Sequence, residues 1–191
     1  YEQGTLTSTY ATEIREFGFD AGYSLDTRGE FRIGFRQAKI KNNKLLGAES
    51  LSAKVDDSRY FARAGFDTLD SLGFPTQGVR VLGEYSIYDA ALGATRHHDG
   101  VTLDILYPLY HNTGTTVLGQ GYLGYLFETA VTDVTPRYSL GGFTRLSGYS
   151  PNEISGRHAG LLSLMGYQRL NEHTIVPIDQ PLFIGFSLEA G

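Results

Sequence analysis

Side-chain alternation with a period of two, repeated in segment after segment, is the feature that most narrows what this chain can fold into. In "EFRIGFRQA", Phe31, Ile33 and Phe35 share one face, while Arg32, Gly34 and Arg36 share the other. Tyr60, Ala62, Ala64 and Phe66 stand against Arg59, Arg63 and Asp67 in the same way. "GVRVLGEYSIYD" sets Val79, Val81, Tyr85 and Ile87 against Arg80, Glu84 and Ser86. In "VTLDILYPLY", Val101, Leu103, Ile105, Tyr107 and Leu109 oppose Thr102 and Asp104. This period belongs to strands whose two faces meet different surroundings. Further strands are predicted over 12–25, with Phe17, Phe19, Ala21, Tyr23 and Leu25 on one face, and over 116–128, 157–170 and 181–191. "NKLLGAESLSAK" (43–54) is the single candidate for a short helix.

The connections alternate in length. "DTRG" (26–29) and "HNTGT" (111–115) read as tight turns with glycine supplying positive φ, and "SLGFPTQG" (71–78) as a slightly longer one. Longer loops are expected over 41–58, 90–99 and 129–156. Short connections at one end and long ones at the other describe an up-and-down antiparallel meander. The chain has no internal boundary, so it reads as one all-β unit.

The polar faces decide which side is inside. They mix Arg, Asp, Glu and Ser with Gly18, Gly22, Gly34 and Gly65, unlike the lysine- and glutamate-rich exterior of a solvated barrel. A transmembrane barrel turns an apolar band to lipid and keeps a polar lumen, and strands of about 10–13 residues suffice to cross a bilayer. Tyr23, Tyr60, Tyr88, Tyr107 and Tyr110 near strand ends suit interfacial girdles. The alternative is a soluble ligand-binding β-barrel or sandwich. Lumen charges are expected to pair across the 26–29 hairpin, with Asp20 reaching Arg36.

Nothing in the chain assembles a catalytic constellation, a cofactor site or a metal site. Ser150 and Ser187 lack the second glycine of a hydrolase elbow. His97 and His98 are adjacent and point to opposite faces of a strand, and His111, His158 and His173 have no partner at ligand spacing. Asp56 and Asp57 read as a solvated loop pair, and Asp67 and Asp70 as turn-capping residues. A net charge of −5 with no basic block argues against nucleic acid as a partner. The absence of cysteine excludes disulfides and thiolate metal sites.

One stretch stands apart. "GGFTRLSGYSPNEISG" (141–156) is too long for a plain strand connection and too apolar for a solvated linker. It reads as a loop folded back into the lumen. Gly141, Gly142 and Gly148 permit bends and close approach, while Phe143, Leu146 and Tyr149 pack. With "YSLGGFTRLSGYSPNEISG" (138–156), "FDTLDSLGFPTQGVRV" (66–81) and "PLFIGFSLEAG" (181–191), the chain resembles barrels of the bacterial surface antigen superfamily. Those include outer-membrane assembly proteins and two-partner secretion transporters. The three stretches resemble, in order, the inward-folded sixth loop, a strand–turn–strand signature and the strand that receives the loop. The wording of the loop is most similar to the barrel of patatin-like phospholipases.

That resemblance implies a location in the bacterial outer membrane and a lumen contact between the loop tip and Glu189 on the receiving strand. Assembly and secretion barrels carry an arginine at the tip, where this chain has Ser147; Arg145 or Ser147 is therefore expected to take over the contact. It also implies about eight of roughly sixteen strands, so residues 1–191 are expected to be a barrel fragment truncated at both ends. The implied function is the anchor or translocator of a phospholipase whose catalytic domain lies elsewhere, with an assembly or secretion barrel as the alternative. Implied partners are outer-membrane lipids, the amino-terminal patatin-like domain, the barrel assembly machinery and a second copy in a homodimer.

Overall fold

The computed structural model describes residues 8–47, 54–94, 97–127, 138–170 and 182–191. In chain order the strands are β1 (Ser8–Leu25), β2 (Gly29–Gly47), β3 (Lys54–Asp67), β4 (Arg80–Tyr88), β5 (His98–Asn112), β6 (Thr115–Leu126), β7 (Tyr138–Leu140), β8 (Ile154–Gly156), β9 (His158–Arg169) and β10 (Phe183–Ala190). Eight form one sheet in the order β1-β2-β3-β4-β5-β6-β9-β10, every pair antiparallel, and β7 with β8 makes a separate ribbon. This is the expected all-β, up-and-down arrangement of a partial barrel. Two expectations change at its margins. Residues 43–47 continue β2 rather than starting a helix, while 48–53 lie outside the described residues. Asp56 and Asp57 belong to β3, because the hairpin ladder carries on past the apolar band instead of giving way to a loop.

Parity holds from strand to strand. Phe19 faces Phe35, Phe35 faces Tyr60, and Tyr60 faces Ile87. All are on the face away from the β7–β8 ribbon, and Phe17, Phe19, Ile33, Tyr60, Ile184, Phe186 and Leu188 are exposed there. A soluble barrel would bury these side chains; here they form the outer surface, as lipid contact requires. Tyr23, Tyr60, Tyr107 and Tyr110 are exposed as girdle residues should be. Tyr88 differs. It is one residue out of phase, buried on the inner face and stacked on His98 with centroids 4.1 Å apart.

The inner face carries the charges, and their pairing corrects the expected Asp20–Arg36 contact. Asp20 lies opposite Gly34, so Arg32 and Arg36 are its two diagonal neighbours. Arg32 takes Asp20, and Arg36 turns to Glu16 at 3.0 Å. Arg80 reaches Asp104 at 3.7 Å across the β4–β5 ladder, along the opposite diagonal. Arg32 faces Arg63 and Arg36 faces Arg59 directly across β2 and β3. These like-charged pairs are tolerated because acids on the flanking strands take up the guanidiniums, Asp20 and Glu16 on β1 those of Arg32 and Arg36, and Glu84 on β4 those of Arg63 at 2.5 Å and Arg59 at 3.8 Å. Between them Phe61 lies under the Arg36 and Arg63 guanidiniums. Gly34 makes room for that ring: a Cβ there would stand 2.6 Å from Phe61 Cζ.

Turn chemistry follows the same economy. In the 26–29 turn the positive φ falls on Asp26 (62°), not on Gly29; aspartate tolerates the left-handed region. The 68–79 connection is built around Asp70. Its carboxylate accepts from Thr76 N (2.8 Å), Thr76 Oγ1 (2.5 Å) and Gln77 N (3.2 Å). Gly78 is required: at φ 93° a Cβ would lie 2.1 Å from Thr68 O. Thus braced, the connection reaches past β5 and β6 to the base of β9 and β10. Phe74 stacks on Phe183 at 3.8 Å, and Tyr167 Oη donates to Pro75 O at 2.5 Å. The reach demands a sheet curved toward its inner face.

Two measurements check this description. Ile33→Arg on the outer face should destabilise the barrel by roughly 2–4 kcal/mol in lipid vesicles, against little change for an inner-face substitution such as Ser187→Asn. Urea unfolding followed by heat-modifiable gel mobility reads the difference. The second concerns acid. The Thr76 hydroxyl, with the turn amides, holds the Asp70 carboxyl below its ordinary value. Its contribution is therefore complete above about pH 4 and is lost as pH falls through the lower folded value. The thermal midpoint of the wild type should exceed that of Asp70→Asn at pH 7 and converge with it in strong acid.

Candidate functional site: the folded-back loop and its seat

The loop between β6 and β9 lies on the inner face. Its neck is the β7–β8 ribbon, where Tyr138 pairs with Gly156 and Leu140 with Ile154. Above the neck the backbone bonds to itself: Gly141 N to Arg145 O at 2.6 Å, Gly142 N to Tyr149 O and Tyr149 N to Leu146 O at 3.0 Å. Gly141 (φ 119°) and Gly142 (φ 97°) occupy positions that side chains avoid, and a Cβ on Gly141 would meet Ser150 O at 2.2 Å. Leu146 adopts φ 72° without being glycine, a conformation that the surrounding contacts must hold in place.

Three contacts fasten the loop to the wall. At the tip, Ser147 N donates to Glu189 Oε2 at 2.6 Å and Ser147 Oγ donates to Oε1 at 3.0 Å. The same hydroxyl accepts from Thr144 N at 3.2 Å, so the serine is oriented before it meets the acid. One hydroxyl and one amide thus stand where a guanidinium would make a charged pair, which is a weaker class of bond. Arg145 goes elsewhere. Its guanidinium carbon sits 4.3 Å from the centroid of Tyr122 on β6, a cation–π contact. Between them the two residues bridge β6 and β10, across β9.

The third contact is at the neck. Tyr138 fills a hollow left by two glycines. A Cβ on Gly124 would stand 2.5 Å from Tyr138 Cγ, and one on Gly100 would stand 2.5 Å from its hydroxyl. The hydroxyl donates to Tyr125 O at 3.2 Å. Leu140 of the neck and Leu161 of β9 are both buried, Leu161 at 2% exposure.

The residues singled out from sequence divide accordingly. Gly141, Gly142, Ser147 and Glu189 meet in one assembly, with Leu146 against the end of β10: its Cδ1 would lie 3.1 Å from a Cβ on Gly191. Phe143 does not pack; it is 89% exposed, because the turn that brings Ser147 to the wall rotates it away. Tyr149, expected to be protected, is 49% exposed. Gly148 has neither positive φ nor any atom within 4 Å of an added Cβ, so close approach does not explain it. Asp20 and Arg36 stand on β1 and β2, apart from the loop seat. His173 falls outside the described residues. His111 bonds Thr116 Oγ1 at 2.9 Å, and His158 stacks on Tyr125 at 4.2 Å. Sequence reasoning missed Tyr138 and its hollow. The available signal was an aromatic residue at the loop neck and glycines at 100 and 124 on inner-face parity.

Because Gly148 has free space around it, Gly148→Cys is a clean reporter of loop position. Gly124→Val should expel Tyr138 and raise the labelling rate of that cysteine by an impermeant maleimide at least about tenfold, a loss of over 1.4 kcal/mol of seating energy. Glu189→Gln should raise it less, since an amide oxygen still accepts from Ser147. Equal rates in all three backgrounds would mean that the contacts do not hold the loop.

Residues 3–174 match the Omp85 superfamily domain. No curated protein matches the chain.

Proposed function

The chain belongs to the Omp85 superfamily of bacterial outer-membrane β-barrels, and from that premise we propose that it is the membrane-embedded anchor and translocator of a patatin-like phospholipase. Superfamily membership supports the translocator role, and on this reading the barrel itself carries no enzymatic role. On this reading the serine–aspartate lipase domain lies outside this chain, and the barrel holds it at the outer membrane. Outer-membrane lipids surround the strands, the barrel assembly machinery inserts them, and a homodimer is the assembly to look for.

One observation carries the reading: Ser147, not an arginine, engages Glu189. Assembly and secretion barrels depend on a charged lock at this point. A hydroxyl–carboxylate contact, with Arg145 diverted to Tyr122, supports a branch in which the lumen loop is a structural plug. The second reading, an outer-membrane assembly or two-partner secretion barrel, is favoured by superfamily membership itself.

The two predict different chemistry in the full-length protein. Outer membranes containing it should label with a serine-directed fluorophosphonate and hydrolyse short-chain p-nitrophenyl esters. Absence of both, with accumulation of an unsecreted or unassembled partner when the protein is depleted, would support the second reading instead.

A further inference from the structure

The outer face of β1–β3 is not uniform. Phe19, Phe35 and Tyr60 form an aromatic arc across three strands, with centroids 5.8 and 5.6 Å apart. One residue level below, toward the short turns, the partners are Ala21, Ile33, Ala62 and Tyr85. Two alanines beside bulky neighbours leave a hollow of about 440 Å³ lined by Phe19, Ile33, Phe35, Tyr60, Ala62 and Tyr85. It is almost wholly apolar and opens toward lipid.

Above the arc, toward the long-loop end, the same outer face changes sign. Arg15 lies directly opposite Lys39, and Lys41 follows one outward position further on. All three are exposed, Arg15 with 81% of its side chain. Glu13 pairs with Arg15 at 2.7 Å, and Asp56 faces Lys39 from β3. Among the described residues, three cations against two carboxylates leave net positive charge at the edge of the apolar band. Arg15 and Lys39 are like charges directly opposite one another, a repulsion that a bound anion would relieve further. The 3-10 turn (Ala90–Leu92) folds over this level. Its following Gly93 stands above Gln37 and Ser58, with an added Cβ 3.6 Å from both, and so walls the approach on the β3 side.

We propose that this surface is a binding site for one molecule of lipopolysaccharide, its lipid A phosphate held by Arg15 and Lys39 and one acyl chain laid into the Ala62 hollow. The spacing fits. Six residues separate Lys39 from Ile33, about 20 Å along the strand. With strands tilted about 40° that is roughly 15 Å of depth, half of the hydrocarbon core. The short-turn end of such barrels faces the periplasm, so the cationic edge meets the outer leaflet, where the phosphorylated glycolipid resides. The inference rests on membrane insertion alone and holds whichever domain the barrel carries.

The test uses the full-length protein in nanodiscs with purified lipid A, monitored by native mass spectrometry. The wild type should retain one lipid A in preference to phosphatidylethanolamine. Arg15→Gln with Lys39→Gln should weaken retention about thirtyfold, at roughly 1 kcal/mol per charge. Ala62→Phe, which fills the hollow with a lipid-compatible side chain, should weaken it independently, and Leu162→Phe on the outer face of β9 should not. Heat-modifiable mobility confirms folding of each variant. Retention unchanged in both the charge and the Ala62 variants, or equal retention of phosphatidylethanolamine, would overturn the proposal.

Discussion

Unbroken parity in the antiparallel ladder is what everything else here depends on. Each strand of the sheet shows one face to lipid and one to the lumen, and a one-residue slip would send every arginine of β2 and β3 into the membrane and Phe31, Phe35 and Phe66 into the lumen. The ladder runs from β1 to β10 with shifts only at Thr9/Tyr10 and Pro108/Tyr110, near strand ends. Because parity is fixed, the charged residues cannot choose their side. They can choose only among their cross-strand and diagonal neighbours. Asp20 takes Arg32, Glu16 takes Arg36 and Arg80 takes Asp104, each a diagonal neighbour on the adjacent strand.

Glycine acts as the negative image of a side chain in this wall. Gly34 receives Phe61, and Gly100 with Gly124 receives Tyr138. The lumen is thereby filled by aromatic rings set against bare backbone, which brings the loop neck nearer to the wall than any alanine would allow. The tip is held differently, by a polar contact to one carboxylate. An apolar neck and a polar tip give the loop two fastenings that respond to different conditions, since salt and pH act on the second and scarcely on the first.

Much of this was legible in the order of residues. Alternation located the strands and assigned their faces, since burial in two unlike media writes itself at period two. The loop was visible as glycines amid apolar residues, and Ser147 as a departure at a known point. What stayed hidden depends on geometry across elements. A glycine gives no sign of which ring it admits, so Tyr138 and Gly124 could not be matched. Arg32 and Arg36 both stand diagonal to Asp20, so parity could not choose between them. Phe143 and Tyr149 were read as packing residues because they are apolar, whereas the turn around Leu146 directs Phe143 away from the wall and leaves Tyr149 half-exposed.

The brace from the β3–β4 connection to β9 and β10 has a consequence for how such a barrel is made. Pro75 and Tyr167 are 92 residues apart in sequence, and their bond encloses the β5–β6 hairpin between them. Closing so long a span costs chain entropy that only the finished wall can repay. The contact therefore belongs to the end of assembly. Strands laid down in sequence leave the connection loose until β9 and β10 arrive, and its docking then marks the point after which this part of the wall can no longer be peeled apart one hairpin at a time.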